Sequence, residues 1–228
     1  MRRGRPVRVS FSGLDGAGKT LQIDALVAAV AGDHTVEVIW LPTKVWPESL
    51  LNRLPAGFRS RLGPKRTAVL RAPEAGSGRP RVTRGLGDVV RSFLWLMIAT
   101  FAAVSVGVSL RRRASRTGAD VLVLDRYRLD SLVKLHFWYA EASAAWLSTV
   151  VRALAPAPDV EILLRVNPEV AFARKPEQWS VAQLSKQAGL YDRFAAGPLQ
   201  VVTLNAEADV EDIAREVRTR VRAVLDAD

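Results

Sequence analysis

The feature that most constrains this chain is a glycine-rich octapeptide at residues 13–20, which reads GLDGAGKT. It follows the pattern G-x-x-x-x-G-K-[ST], in which the glycines allow a tight turn that directs consecutive backbone N–H groups at phosphate oxygens. In this pattern the lysine reaches the β- and γ-phosphates, and the final hydroxyl is offered to Mg²⁺. Alternating residues at 7–11 predict a strand before the loop, and an apolar stripe predicts a helix that opens at Lys19. The stripe consists of Leu21, Ile23, Leu26, Val27 and Val30. This context favours a phosphate-binding loop over a chance glycine turn.

Four further apolar stretches, at 35–41, 121–124, 160–166 and 199–204, predict strands that alternate with helical patterns. Strands that alternate with helices form a parallel sheet covered on both faces. The sequence therefore predicts an α/β fold, a three-layer α/β/α sandwich with a five-stranded parallel sheet, of the P-loop kinase type. At 228 residues the chain fits one domain, 1–228.

The run at 121–124 is apolar throughout, as expected of a central strand buried on both faces. It places Asp125 and Arg126 at the carboxyl end of the strand, where open α/β sheets bind their ligands. With a phosphate loop in the same chain, we interpret these residues as functional and not as a strand that simply ends in polar residues.

The second half of the chain carries clear helix signals. Asn167 is a predicted N-cap with Pro168 at the first helical position, and Pro176 interrupts the helix. Ser180 followed by Gln183 forms the S-x-x-Q pattern of a capping box. Another apolar stripe predicts one long helix from about 132 to 150, in which His136 is a packed or exposed helix residue and not a ligand.

Charge is unevenly distributed along the chain, which has a formal net charge of +10. Prolines, glycines and arginines dominate a predicted basic insertion at 43–87. A basic surface attracts nucleic acid, anionic lipid or a polyphosphate, but no aromatic stacking pattern or recognition helix accompanies this one. We therefore expect a small-molecule acceptor and no dedicated nucleic-acid binding.

The stretch 93–110 contains eighteen residues without a charge. It includes several small and hydroxylated residues, so we expect a helix buried beside the sheet and not a membrane span. Peripheral contact with a membrane through this basic-flanked region stays open, as does a homodimer. The absence of cysteine and of a signal-peptide pattern fits a cytoplasmic protein.

Taken together, these motifs resemble those of the thymidylate kinase family of nucleoside monophosphate kinases. The family's F-x-G-x-D-G-x-G-K-T pattern is similar to residues 11–20 at each fixed position, and its D-R-Y motif matches residues 125–127. Its P-E-x-x-x-x-R segment, which leads to a mobile lid, matches residues 168–174.

This resemblance implies transfer of the γ-phosphoryl group of MgATP, with ATP and Mg²⁺ as cofactors. It implies that Asp15 faces the acceptor, that Arg126 contacts the acceptor or the transferred phosphate, and that Arg174 lies by ATP. The implied lid covers about 174–190. The catalytic candidates are Asp15, Lys19, Arg126 and Arg174, and the metal candidates are Thr20 and Asp125. The nucleotide-binding candidates are Gly13, Asp15, Gly16, Ala17, Gly18, Lys19, Thr20, Arg174 and Lys175.

The resemblance is weaker on the acceptor side. The family's second strand usually ends in R-E-P, whereas this chain reads WLPT at 40–43, and the arginine that reads thymine is missing from 98–108. We expect a nucleoside monophosphate acceptor such as dTMP. The alternatives are a sugar, lipid-linked or specialised-metabolite hydroxyl, and a regulatory NTPase. Asp15 suits either acceptor, since it could orient a hydroxyl group or act as a base.

Overall fold

The computed structural model describes residues 5–41, 86–115, 118–138, 145–197 and 199–227. Within them lie five strands: β1 (Val7–Gly13), β2 (Val36–Trp40), β3 (Val121–Asp125), β4 (Val160–Arg165) and β5 (Val201–Asn205). The same residues form seven helices: α1 (Lys19–Val30), α2 (Leu86–Ala114), α3 (Arg128–Trp138), α4 (Ala145–Leu154), α5 (Pro168–Arg174), α6 (Val181–Ala195) and α7 (Val210–Leu225). Apart from its last two residues, which begin α2, the predicted basic insertion at 43–87 lies outside the described residues.

The five strands form one parallel sheet in the order β2-β3-β1-β4-β5. Helices α1 and α7 pack together against it, and α2, α3, α4 and α6 form a second group of packed helices. This arrangement is that of a three-layer α/β/α sandwich, so the predicted α/β fold and five-stranded parallel sheet are confirmed.

The centre of the sheet is its most apolar part. All four residues from Val121 to Leu124 are fully buried, as are Val9 and Phe11 on the neighbouring strand β1. Strand β2 lies at an edge, and its Val38 and Trp40 are exposed. The continuous apolar run that predicted a central strand therefore corresponds to the strand with both faces covered.

The order of the strands creates a crevice at the carboxyl ends of β1 and β3. After β1 the chain moves towards the β2 edge, and after β3 it crosses to β4 on the opposite side of β1. Connections that leave neighbouring strands in opposite directions open a ligand-binding crevice between them. The loop at 14–18 and the residues Asp125 and Arg126 both lie at this position.

The predicted helix starts of α5 and α6 are confirmed. The Asn167 side chain accepts a hydrogen bond of 2.9 Å from the Glu169 N–H, with Pro168 at the first helical position. At the start of α6, the Ser180 N–H donates to Gln183 Oε1 at 3.0 Å, and the Gln183 N–H donates to Ser180 Oγ at 3.3 Å. The reciprocal bonds satisfy backbone donors that a helix leaves unpaired at its start.

The predicted single helix from 132 to 150 is wrong. Its described residues belong to α3 and α4, with 139–144 outside the described part of the chain, and a ring nitrogen of His136 lies 3.0 Å from the Ser148 hydroxyl. In one straight helix, residues twelve positions apart would be about 18 Å apart along the axis. The apolar stripe is found in both helices because each presents an apolar face to the core. His136 is buried and meets the edge of the Phe194 ring, so of the two predicted alternatives it is the packed one.

Helix α2 buries a face of small residues. Ala99, Ala102 and Ala103 are buried, and a Cβ placed on Gly107 would lie 2.6 Å from Leu154 Cβ, so α2 and α4 pack closely. Its opposite face exposes large apolar side chains, at Met97, Phe101 and Val104. Among the helices described, none has the length and hydrophobicity needed to span a membrane.

Candidate functional site

The loop at 14–18 owes its shape to glycine. Gly13, Gly16 and Gly18 have φ angles of 143°, 89° and 81°, which other residues adopt only with strain. A Cβ on Gly13 would lie 2.5 Å from the carbonyl oxygen of Leu164, and one on Gly16 would lie 2.6 Å from that of Ala171. The glycines therefore let the loop turn and lie directly against β4 and α5. Gly18 is the N-cap of α1, so the positive end of that helix points into the loop.

Lys19 is folded back over the loop. It is buried, and its Nζ donates hydrogen bonds of 2.8 Å to the carbonyl oxygens of Gly13 and Leu14. Burial, together with the nearby charge of Arg126, lowers the pKa of Lys19 to about 8. An anion bound in the loop would stabilise the charged ammonium, because an opposite charge nearby favours the ionised form.

Asp15 is held by two partners that lie far from it in the sequence. Arg126 forms an ion pair with Asp15 Oδ1, and the Trp179 indole N–H donates to Asp15 Oδ2 at 3.0 Å. Burial alone would raise the pKa of Asp15, but Arg126, Lys19 and the Trp179 hydrogen bond outweigh it and hold this pKa below its ordinary value. The side chain is therefore an oriented, ionised carboxylate.

Arg126 occupies an unusual backbone position directly after β3. Its φ of 63° places it in the left-handed region, which a non-glycine residue adopts at a cost. Its N–H donates to the Phe11 carbonyl at 3.0 Å, so the turn is tied to β1. Burial disfavours its charge, yet Asp130 and Asp15 outweigh this and raise the pKa of Arg126. The turn aims a permanently charged guanidinium across the crevice at Asp15.

Asp130, a buried acid whose charge acts on Arg126, was not among the site residues predicted from the sequence. Asp130 is fully buried, and its Oδ1 accepts a hydrogen bond of 2.6 Å from the Tyr191 hydroxyl. That hydroxyl also lies 3.3 Å from the Gly13 carbonyl oxygen, so Tyr191 joins α6 to the start of the loop. Burial and the neighbouring Asp130 raise the pKa of Tyr191 well above its ordinary value, so this residue remains a neutral donor.

Asp125 and Thr20 are the residues that could hold Mg²⁺. Oδ1 of Asp125 is buried and has no hydrogen-bond partner among the described residues. Burial raises the pKa of this carboxyl, with Lys19 and Arg126 acting against the shift. Thr20 lies one residue after Lys19, in the first turn of α1, and lines the same cleft. A carboxylate oxygen without a partner, in a cleft that a hydroxyl residue also lines, suits a hard cation, which prefers oxygen ligands. The described part of the chain contains no group of three or more His, Cys, Asp or Glu residues that could hold a metal by themselves.

Arg174 and Lys175 lie at the end of α5. Arg174 ends α5, and its Nη1 lies 3.3 Å from the Gly16 carbonyl oxygen and 3.4 Å from that of Ala206. Lys175 is the C-cap residue and lines the cleft. Arg174 therefore lies beside the loop, near its Gly16 carbonyl group, and Lys175 lies in the lining of the cleft.

These residues surround a cleft of about 870 Å³. Of the predicted site residues, those that line it are Asp15, Gly16, Gly18, Lys19, Thr20, Asp125, Arg126 and Lys175. Gly13, Ala17 and Arg174 support the loop from outside the lining. The cleft is also lined by residues that the sequence analysis missed: Leu21, Asp24, Trp40, Val133, Lys134, Phe137, Gln178, Trp179, Gln187 and Tyr191.

Some of the missed residues carried a signal in the sequence. Asp130 and Lys134 are four positions apart on the helix that follows Arg126, so they share a face near the end of β3. Trp179 and Tyr191 lie on the predicted lid segment and just beyond its end. Nothing in the local pattern indicates that they reach Asp15 and Asp130.

The cleft combines features that suit an anionic group. Its lining brings the glycine-rich loop, Lys19 and the start of α1 together with Arg126, which is paired with Asp15 of that loop. No protein-family model matches the chain, and no curated protein matches it significantly. The resemblance to thymidylate kinases therefore rests on the motifs at residues 11–20, 125–127 and 168–174.

Proposed function

We propose that this protein is a MgATP-dependent phosphotransferase, similar to thymidylate kinases, whose acceptor is a nucleoside monophosphate of the dTMP type. One observation carries the proposal. The glycine-rich loop with Lys19 and the ion pair between Asp15 and Arg126 face the same cleft. A kinase needs this juxtaposition, because the donor phosphates and the acceptor must lie side by side for transfer.

In the proposed reaction, an ionised phosphate oxygen of the acceptor attacks the γ-phosphorus of ATP. A new P–O bond forms as the bond between the γ-phosphorus and the β–γ bridging oxygen breaks, and ADP leaves with the electron pair. Lys19 and the loop amides hold the donor phosphates, and Arg126 offsets repulsion between the two phosphates. Phosphoryl transfer depends mainly on such positioning and charge neutralisation.

Mg²⁺ would be held by Thr20 and Asp125, and when bound it neutralises charge on the transferred group. The partnerless Oδ1 of Asp125 supports this assignment. The remaining lining residues near the donor phosphates, such as Lys175, would add positive charge from the side of α5.

The state of Asp15 favours a phosphate acceptor over a hydroxyl. A hydroxyl must lose a proton to a nearby base, and an effective base has a pKa near the working pH. Asp15 has a lowered pKa, and both of its oxygens already have partners. It suits the role of holding Arg126 in place better than that of accepting a proton.

The test is a transfer assay with γ-labelled ATP and Mg²⁺ across dTMP, other nucleoside monophosphates, sugars and lipid-linked hydroxyl compounds. We expect label on one or more monophosphates. Label on a hydroxyl compound and on no monophosphate would overturn the acceptor class. Steady ATP hydrolysis without any acceptor, stimulated by a protein or nucleic acid, would identify a regulatory NTPase instead.

A further inference from the structure

Lys134 is a cation of the cleft to which the proposed reaction assigns no role. It lies on α3, two helical turns beyond Arg126, and it is half-buried in the lining. Among the described residues, no hydrogen-bond or ion-pair partner contacts its ammonium group. In contrast, Lys19 donates to two loop carbonyls and Arg126 is paired with Asp15.

The burial of the Lys134 ammonium group makes an incoming anion favourable. Burial lowers the pKa of Lys134, and the strongest effect of a neighbouring charge is that of Arg126, which also lowers it. Asp130, Asp15 and Asp125 act in the opposite direction but do not cancel these effects. An anion bound beside Lys134 would stabilise the ammonium form and offset both its burial and the repulsion from Arg126.

The wall next to Lys134 is apolar and aromatic. Val133 and Phe137 lie on the same helix, and the Phe137 and Trp179 rings meet edge to face with centroids 5.7 Å apart. Such a wall accommodates the body of a small organic molecule, with a few polar groups to fix its orientation. Lys134 is in a position to bind a charged group on that molecule.

Resting on the proposed function, we propose that Lys134 is a specificity-determining residue that binds a second anionic group on the phosphoryl acceptor. The acceptor then carries one phosphate, held near Arg126, and a second acidic group, a carboxylate or another phosphate, that reaches Lys134. Its ring or apolar body lies along Phe137 and Trp179. Among nucleoside monophosphates, this end of the cleft would favour one whose base or sugar carries an additional acidic group.

Matched pairs of acceptors test this inference, since the members of each pair differ by one acidic group. The pairs are uridine and orotidine 5′-monophosphates, thymidine 5′-monophosphate and thymidine 3′,5′-bisphosphate, and glucose 1-phosphate and glucuronic acid 1-phosphate. The assay measures kcat/KM for label transfer from ATP. We expect the wild-type protein to prefer the diacid member of at least one pair by about tenfold or more, the range of a charge-assisted hydrogen bond.

Variants at Lys134 separate its charge from its shape. Lys134→Gln should remove the preference by lowering kcat/KM for the diacid, while the value for the monoacid changes less than about threefold. Lys134→Arg should keep a measurable preference because the charge remains. The control is Arg222, an exposed residue on α7 that lies far from Lys134 in the sequence. Arg222→Gln also removes one positive charge and should leave the preference for the diacid intact. Thermal unfolding of each variant checks that the fold is retained.

Failure of this inference is distinguishable from failure of the proposed function. The role of Lys134 is overturned if the protein phosphorylates monophosphates but shows no preference for a diacid. It is also overturned if Lys134→Gln leaves that preference unchanged. In both cases the kinase proposal still stands. If no acceptor is phosphorylated, calorimetric titration with the same pairs decides. Tighter binding of a diacid that is lost in Lys134→Gln supports the role, and equal affinities within every pair overturn it.

Discussion

The indole nitrogen of Trp179 donates a hydrogen bond of 3.0 Å to the Oδ2 atom of Asp15, although the two residues are 164 positions apart. Trp179 precedes α6 in the predicted lid segment, and Asp15 lies in the glycine-rich loop after β1. The bond therefore joins the segment between α5 and α6 to the loop. With Arg126 on the other oxygen, it fixes the orientation of the carboxylate.

We predict that Trp179→Phe lowers kcat/KM for phosphoryl transfer about tenfold. The variant keeps a ring against Phe137 but removes a hydrogen bond to a charged group, which is worth about 1.5–3 kcal/mol. A double-mutant cycle with Asp15→Asn measures the coupling directly, and we expect at least about 1 kcal/mol between the two sites. Strictly additive effects would show that the bond has no part in transfer.

Alanine at two loop glycines should have unequal effects. Gly16 and Gly18 both have positive φ, so either substitution incurs the left-handed penalty of about 1–2 kcal/mol. Only at Gly16 would the new Cβ meet backbone, 2.6 Å from the Ala171 carbonyl oxygen, whereas nothing lies within 4 Å at Gly18. We expect Gly16→Ala to lower the free energy of unfolding by at least about 1 kcal/mol more than Gly18→Ala. Urea denaturation measures both, and equal losses would contradict the close approach of the loop to α5.

Lys19→Met should abolish transfer and, at pH 7, raise the free energy of unfolding. The native pKa of Lys19 is about 8 and its ordinary value is 10.5, so between these values the unfolded chain binds more protons and stability rises with pH. The penalty from the buried ammonium is thus fully present below pH 8. This penalty corresponds to at most about 3 kcal/mol, from which the contribution of the two hydrogen bonds of Lys19 is subtracted.

Urea unfolding of wild type and Lys19→Met from pH 7 to pH 10 tests this prediction. The stability difference should shrink as the pH rises, because the wild-type lysine loses its proton in the native state. A variant that is less stable than wild type by the same amount at every pH would show that the buried ammonium carries no such penalty.

The predicted lid at 174–190 should respond to nucleotide. Lys175 lines the cleft, and Trp179 contacts the loop, so a bound ATP analogue with Mg²⁺ would draw this segment closer and exclude water. Hydrogen exchange with and without the analogue measures the change, and we expect slower exchange at 175–190. Helix α7, none of whose residues lines the cleft, is the internal reference. Unchanged protection of 175–190 at saturating analogue would rule out closure.

Much of the loop and of the fold follows from short stretches of sequence. The loop glycines, the caps of α5 and α6 and the buried run of β3 each depend on residues only a few positions apart. Their hydrogen bonds and backbone angles are local, so spacing alone predicts them. Topology rules for alternating strands and helices then lead to the parallel sheet and to Asp125 and Arg126 at its carboxyl edge.

Other features required the packed chain. One helical stripe includes residues of both α3 and α4, since periodicity records which residues face the core and not how they divide between helices. The ion pair of Arg126 with Asp15 and the bond from Tyr191 to Asp130 join residues 111 and 61 positions apart. The sequence by itself determined the glycine-rich loop and the layered fold, because these arise from local backbone geometry and the burial of apolar strands. Only the tertiary structure decided which side chains, Trp179, Tyr191 and Lys134 among them, complete the cleft, because contacts between distant elements depend on how the whole chain packs.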